Sequence, residues 1–205
     1  MEIKPKQRLS AEARQEQIIQ VAVDLAGKCG MQGVTTQDMA DAMGLTQGAI
    51  FRHFPTKDAI WIAAINWLRE SLMGVLGVAV QGAKDPLDAL ERMFHAHVSF
   101  ISKYPAIPRI IFSGKMLDEN PKLKELVQGI LSGYEAKLVK LLGEAREAGL
   151  VRSDLDERGA ATLFLGMIQG LVVQIKIIGV KRSMQEEARK VFPIYLAGIK
   201  GGPAA

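Results

Sequence analysis

Helix-start signals recur along the chain and constrain its fold more than any other feature of the sequence. Asp85-Pro86 and Asn120-Pro121 each place a capping side chain before a proline, which suits the first turn of a helix because no N–H is needed there. Other capping residues precede amphipathic segments at Ser10, Thr35 or Thr36, Thr46, Thr56 and Asp154, the last with Glu157 three residues on. No stretch alternates polar and apolar β-branched residues between tight turns. The sequence therefore predicts an all-α fold of about nine helices.

The apolar spacing between these signals gives the predicted helices. In the first helix one stripe runs from Ile18 to Cys29, so we expect the Cys29 thiol to be buried and Gly30 to end the helix. The later helices are expected over 36–43, over 47–54, from 57 onward, over 86–103, within 104–117, over 121–148, from Asp154 to about 178 and over 184–199.

The net charge is small, and its placement says more than its size. The 205 residues carry a formal charge of +4, but residues 1–57 hold seven basic and six acidic side chains. Bulk charge therefore does not predict binding to nucleic acid. Two local clusters remain, a basic arm at residues 1–9 and a group beside a short helix: Lys4, Lys6 and Arg8 in the arm, and Arg52, His53 and Lys57 in the group.

Several features predict a cytoplasmic protein. The single cysteine excludes an internal disulfide, and the polar N-terminal segment lacks the apolar core of a secretion signal. The most apolar stretch, 161–180, contains Gln169, Gln174 and Lys176, so we interpret it as a buried helix and not as a membrane span.

A helix-turn-helix pattern occupies residues 36–54. Gly44 can adopt the positive φ of the turn, and Thr46 can cap the following short helix. Ile50 and Phe54, four residues apart, lie on the face that would hold this helix to the domain.

The opposite face of the short helix has the residue types of a major-groove reader. Small residues at Gly48 and Ala49 allow close approach to base edges, Gln47 can pair with adenine, and Arg52 can pair with guanine. Hydroxyl, histidine and lysine side chains nearby suit phosphate oxygens.

The run RQEQIIQVAVDLAGKCGMQGVTTQDMADAMGLTQGAIFRHFPTKDAIWIAAI resembles the DNA-binding domain of the TetR family of transcriptional regulators. The elements GVTT, TQGAIFRHF and KDAI carry the resemblance, in order and at the family's spacing. It implies a DNA-binding domain at 1–60 and a ligand-binding and dimerisation domain at 61–205. It also implies a homodimer, most often a repressor, that binds a palindromic operator and is released by a small molecule, with no cofactor.

Carried over by position, the resemblance assigns DNA contacts to ten residues. Those at bases or neighbouring phosphates are Gln37, Thr46, Gln47, Gly48, Ala49 and Arg52, and those on the backbone are Thr36, Phe51, His53 and Lys57. The family usually has tyrosine at the position of Phe51, and phenylalanine has no hydroxyl to donate to phosphate. The basic arm at 1–9 enters a minor groove, follows the DNA backbone or stays in solvent.

The resemblance is less specific beyond residue 60. A pocket for a largely apolar effector is expected among the middle helices, and ordinary core packing is the alternative for each candidate. The candidates are Trp67, Met73, Phe94, His97, Phe100, Phe112, Met116, Tyr134, Phe164, Met167 and Gln174.

The two last helices predict a dimer interface of four helices, two from each protomer. The helix at 157–178 is apolar on nearly all sides and has Gly166 and Gly170 four residues apart, which permits close packing. Burial within the protomer is the alternative. The expected interface residues are Ala160, Leu163, Gly166, Gly170, Leu171, Val173, Ile177, Val191, Ile194 and Tyr195.

No catalytic motif or metal site is predicted. The sequence lacks GxSxG, HExxH, GxGxxG and a P-loop, and His95 and His97 would point to different sides of one helix. Two other functions stay open. One is a DNA-binding protein of this fold without an inducer, architectural or linked to division, and the other is a helical enzyme or binding module without DNA binding.

Overall fold

The computed structural model describes residues 10–104, 106–111 and 118–200, and within these ranges it contains helices and no strand. The helices are α1 (Ala11–Gly33), α2 (Thr36–Met43), α3 (Gln47–Phe51), α4 (Lys57–Ala79), α5 (Pro86–Lys103), α6 (Ala106–Ile111), α7 (Pro121–Glu147), α8 (Glu157–Val172, continued as a π-helix over Val173–Ile177) and α9 (Met184–Lys200). The all-α prediction, with nine helices in the described part of the chain, is confirmed.

Local side-chain caps start the helices where the sequence places them. Thr35 and Asp38 form a reciprocal box before α2, in which the Thr35 hydroxyl accepts from the Asp38 N–H at 3.1 Å and the Asp38 carboxylate accepts from the Thr35 N–H at 2.7 Å. The other predicted caps confirmed by a hydrogen bond are Ser10, Thr46, Thr56, Asp85 and Asn120.

The predicted cap of α8 was misplaced by two residues. Asp156 caps the helix by accepting from the Arg158 N–H at 3.1 Å. Asp154 instead pairs with Arg152 at 3.5 Å. Because the Arg152 N–H donates to the Ile199 carbonyl at 3.1 Å, the loop before α8 is held to α9.

The end of α1 also differs from the prediction. Gly30 adopts φ 74° and ψ 160°, which breaks the helical geometry, but one further turn continues to Gly33. The predicted apolar stripe ends before Cys29, which is exposed, and the buried residue near the break is Met31 on its far side. The prediction of a buried thiol was therefore wrong.

The buried side chains form two cores. The head core contains side chains from the segment that runs from α1 through α4, together with five residues from later helices: Phe100, Ala106, Ile110, Leu123 and Val127. The C-terminal core joins the end of α4 to α5, α7, α8 and α9. Its centre is aromatic, because Phe94 lies 5.4 Å from Phe164 and 5.0 Å from Phe192 between ring centroids.

Two helices of the described chain are long and apolar enough to cross a membrane by length and composition alone, Lys57–Ala79 and Glu157–Ile177. The first supplies Leu68 to the head core, and the second supplies Phe164 to the C-terminal core. We therefore interpret them as core helices of a helical bundle.

Candidate nucleic-acid interface and ligand cavity

The turn between α2 and α3 has the geometry that the sequence predicts. Gly44 adopts φ 64° and ψ 36°, a left-handed conformation that favours glycine, and its N–H donates to the carbonyls of Ala40 and Asp41. The Leu45 N–H donates to Ala40 as well, at 2.9 Å. Ile50 is fully buried, so α3 is held to the head core by its inner face.

The outer face of α3 is exposed and small at its N-terminal end. Gln47, Gly48 and Arg52 are exposed, and the space where Gly48 would carry a Cβ is open. Phe51 is 42% exposed, which is unusual for a large aromatic ring. This face can therefore approach a groove, with Phe51 offering an apolar contact where the family usually has a hydroxyl.

Gln47 and Thr36 form one hydrogen-bonded pair across the motif. The Gln47 amide lies 2.6 Å from the Thr36 hydroxyl, and Thr36 is buried. The sequence assigned both residues to DNA. Thr36 is 7% exposed and bonds to the exposed Gln47, and the predicted DNA contacts of both residues stay predictions.

The remaining predicted contact residues surround the same face. The Gln37 amide donates to Asp41 at 2.7 Å, and the His53 carbonyl accepts from Gln15 at 3.2 Å. Lys57 stands in the first turn of α4, beside the exposed cap Thr56. At the start of α3, the Thr46 hydroxyl accepts a hydrogen bond from the Ala49 N–H at 3.3 Å. The basic arm at 1–9 lies outside the described residues.

A largely apolar cavity of about 120 Å³ lies between the two cores. Its walls come from α4, α5, α6, α7 and α8. Ile65 and Val127 belong to the head core, whereas Ile101 and Ile168 belong to the C-terminal core. A molecule in this cavity would therefore contact both cores.

Three of the predicted pocket residues line this cavity: His97, Phe100 and Tyr134. Phe112 and Met116 lie outside the described residues. The others lie elsewhere: Phe94 and Phe164 in the C-terminal core, Met167 in the groove between α8 and α9, Gln174 exposed on the π-helix, Trp67 beside Tyr104, and Met73 beside Lys137. Sequence reasoning missed aliphatic walls such as Leu72 and Leu165, which look like any core residue.

His97, which is half-buried, and Tyr134, which is buried, are polar residues of the cavity wall. The His97 Nδ1 and the Tyr134 hydroxyl have no hydrogen-bond partner among the described residues. Burial lowers the pKa of His97 to about 4 and raises the pKa of Tyr134, so both side chains are neutral near pH 7. A buried polar group without a partner costs about 1–3 kcal/mol.

The outer sides of α8 and α9 form an exposed apolar face. Leu163 on α8 is 56% exposed and Ile194 on α9 is 74% exposed. Together with Met167 and Val191 they line an open groove between the two helices. We call this surface the α8/α9 face.

The predicted interface residues divide between this face and the protomer interior. Leu163, Gly166, Ile177 and Ile194 are exposed, and Gly170, Val173 and Val191 are half-buried. Ala160, Leu171 and Tyr195 are buried in the protomer, and the Tyr195 hydroxyl donates to the Ala160 carbonyl at 3.2 Å. Their predicted role in dimerisation stays a prediction.

The two histidines of α5 point in different directions. His97 lines the cavity, whereas His95 lies beside Phe192 and lines a surface depression with Arg189. Across the described ranges, no group of three or more His, Cys, Asp or Glu side chains is placed to hold a metal ion.

A helix-turn-helix with an exposed second helix, joined to a helical domain with a cavity, defines a DNA-binding regulator of transcription. Two family models match the chain. The first, described as "Bacterial regulatory proteins, tetR family", matches residues 18–64, and the second, "Tetracyclin repressor-like, C-terminal domain", matches residues 113–191. The chain belongs to the TetR family of transcriptional regulators.

Individual relatives are more distant. The chain is 27% identical over 167 residues to the nucleoid occlusion factor SlmA of Haemophilus ducreyi, covering 81% of this chain and 82% of that protein. The fatty acid degradation regulator FadR of Bacillus halodurans has a similar fold, with a TM-score of 0.77, 20% identity and coverage of 97% and 98% of the two chains. FadR of Bacillus subtilis in complex with stearoyl-CoA gives a TM-score of 0.75, 20% identity and coverage of 90% and 98%.

Proposed function

We propose that this regulator is a cytoplasmic repressor, without enzymatic activity, that binds a palindromic operator as a homodimer and is released by a small apolar molecule. The observation that carries the proposal is the exposed face of α3. Gln47, Gly48 and Arg52 lie at its surface with Phe51, and the caps Thr46 and Thr56 flank it. Such a face suits entry into the major groove, where side chains read base edges.

The α8/α9 face supports the homodimer. Aliphatic side chains as exposed as Leu163 and Ile194 are stabilised when a partner covers them, at about 25 cal/mol per Å² of apolar surface. A two-fold axis through this face presents two copies of α3, and a symmetric protein reads a palindrome.

The cavity supports release by a small molecule. Phe100 and Val127 line the cavity and belong to the head core, and Ile107 of α6 is also part of the wall. In the same helix Ala106 packs on Gly27 of α1. A ligand that binds better to one arrangement of these helices shifts the population of head positions, and only this difference in affinity can release DNA.

The dimer and the operator can be tested together. Footprinting of the DNA upstream of the gene is expected to show one palindrome, with two protected half-sites. Ile194→Glu places one charge on the α8/α9 face of each protomer, and the two charges would meet in the dimer interface. We therefore expect a monomer by analytical ultracentrifugation and at least a hundredfold loss of operator affinity.

Val78→Glu is the matched control, because Val78 is an aliphatic residue of α4 that is 67% exposed and does not line the α8/α9 groove. It should remain a dimer and keep its affinity for DNA. A wild-type protein that sediments as a monomer, or protects a single asymmetric site, would contradict the proposal.

A second candidate function is nucleoid occlusion without an inducer. It is favoured by one observation, the 27% identity to the nucleoid occlusion factor SlmA over most of both chains. Chromatin immunoprecipitation separates the two functions. Many sites spread over the chromosome, with binding unchanged by any metabolite, favour nucleoid occlusion, whereas a few promoter sites and a releasing metabolite favour the repressor.

A further inference from the structure

The wall of the cavity is apolar except at a few side chains, and two of these have a polar atom that is buried from solvent. His97 on α5 and Tyr134 on α7 lie next to each other in the cavity wall, with ring centroids 5.4 Å apart. Tyr134 is 2% exposed, and His97 is half-buried with its Nδ1 atom shielded from solvent. Arg69 and Gln169 also contribute to the wall, but both lie partly in solvent.

These two side chains have unused hydrogen-bonding capacity. Neither the His97 Nδ1 nor the Tyr134 hydroxyl has a partner in the part of the chain that the structure describes. Buried polar atoms are nearly always paired in folded proteins, so two unpaired atoms in one cavity wall point to a partner that the protein itself does not supply, a bound water or a bound molecule.

We infer that the cavity binds a small apolar molecule with one uncharged oxygen, an alcohol or a carbonyl compound, whose oxygen takes hydrogen bonds from or to His97 and Tyr134. The assignment rests on the proposed small-molecule function of the cavity. It deepens that proposal by naming the chemical class of the ligand, which the family and the fold do not give.

The charge of the site disfavours an ionised group beside His97 and Tyr134. A histidine whose pKa lies at about 4 and a tyrosine whose pKa is raised by burial are both neutral at pH 7. The charged side chain of the wall is Arg69, which is half-exposed and lies 3.6 Å from Glu70. A carboxylate beside His97 and Tyr134 would be buried without a counter-charge, which is unfavourable.

The size of the cavity decides which probes to use. A dry apolar cavity of about 150 Å³ admits benzene. At about 120 Å³, this cavity suits a molecule with one small ring or a short branched chain. Toluene, benzyl alcohol and benzoate share one ring and differ only in the polar group, so they isolate the effect of an uncharged oxygen.

The test is calorimetric titration of the full-length protein with these three probes. Hydrophobicity differs between them, so the informative quantity is the ratio of the Kd for toluene to the Kd for benzyl alcohol, compared between proteins. Tyr134→Phe removes the hydroxyl and keeps the ring, so this ratio should fall about tenfold. His97→Phe should lower the ratio by a similar factor through the second contact.

Tyr195→Phe is the matched control. It removes the hydroxyl of another buried tyrosine, one that already donates to the Ala160 carbonyl and does not line the cavity. Its ratio should equal the wild-type value, although its stability falls.

Three outcomes would overturn the assignment. They are a ratio that Tyr134→Phe leaves within twofold of wild type, tighter binding of benzoate than of benzyl alcohol, and no measurable binding of any probe. Release of upstream DNA is scored separately. If benzyl alcohol binds with the expected ratio but releases no DNA, the repressor proposal is contradicted and the assignment stands. If instead a charged metabolite releases the DNA and Tyr134→Phe does not change that release, the assignment is contradicted and the repressor proposal stands.

Discussion

The head core and the C-terminal core are built from different parts of the chain. The C-terminal core uses helices from the end of α4 onward. The head core extends beyond the helix-turn-helix and includes Ala106 and Ile110 of α6 with Leu123 and Val127 of α7. The DNA-binding head is thus packed against the helices that surround the cavity. A change in the position of α6 or α7 therefore changes the surroundings of the head directly.

The cavity lies where the two cores meet, which gives the proposed ligand a physical connection to the DNA-binding surface that the cavity does not touch. The cavity wall contains residues of both cores, including Leu68 and Phe100 from the head core and Tyr134 from the C-terminal core. Leu72 packs against both cores. The division at residue 60 expected from the sequence stays a prediction, and the packing shows that helices on its two sides share a core.

The largest effect is expected from Phe94→Ala, which tests whether the two cores unfold together. Phe94 is fully buried at the centre of the C-terminal core, so its truncation should lower the free energy of unfolding by about 3–5 kcal/mol. Both tryptophans, Trp61 and Trp67, lie in or against the head core. Urea unfolding should therefore shift equally by fluorescence and by circular dichroism. A fluorescence transition that stays at its wild-type midpoint would show that the cores are independent.

A smaller effect is expected at the contact between α1 and α6. A Cβ at Gly27 would lie 3.4 Å from the Ala106 Cβ, which leaves space for a methyl group and no more. Gly27→Leu should lower the free energy of unfolding by about 1–3 kcal/mol in urea because the helices must separate.

Gly27→Ala is the control for this contact. It fits the available space and improves helix propensity, so it should be neutral or stabilising by up to about 1 kcal/mol. Equal behaviour of the two variants would mean that α1 and α6 are not held together, and the shared head core would lose its support.

The smallest effect is expected within the head, at the cap of α2. Thr35→Ala should cost about 1 kcal/mol of stability at pH 7. Hydrogen bonds from the Thr35 side chain, and then from its backbone, hold the pKa of Asp38 below its usual value of 3.8. This stabilisation is present above pH 3.8 and is lost as the pH falls through the lowered pKa.

The difference in unfolding free energy between wild type and Thr35→Ala should therefore shrink on acidification below pH 3.8. Thr56→Ala is the control, because Thr56 accepts from the Ala59 N–H and has no carboxylate in its cap. Its cost should not depend on pH in this way. A constant cost for both variants would contradict the reciprocal box.

Much of the fold was predictable because the determining contacts are local. Caps such as Thr46 and Thr56 bond to an N–H three residues away, so a short window of sequence contains both partners. The cap of α8 was misplaced because Asp154 and Asp156 are equivalent locally. Pairing with Arg152 and the bond from Arg152 to Ile199 distinguish them, and the second of these depends on tertiary structure.

The candidate site was less predictable beyond the head. His97, Phe100 and Tyr134 line the cavity as expected, but Phe94 and Phe164 point into the C-terminal core. Aromatic residues at helical spacing look the same in both places. Which helix faces meet around an empty space depends on the crossing of α4, α5, α7 and α8, and no short pattern encodes that crossing.

The exposed Cys29 makes the head accessible to labelling. Cys29 is the single cysteine of the sequence and lies on α1, where its thiol donates to the Leu25 carbonyl at 3.3 Å. A maleimide dye or a nitroxide would therefore attach at one position in each protomer, without any engineered site. In a symmetric pair of subunits, the two labels would report one distance, and under the proposed mechanism that distance would change with the spacing of the two α3 helices as the cavity fills.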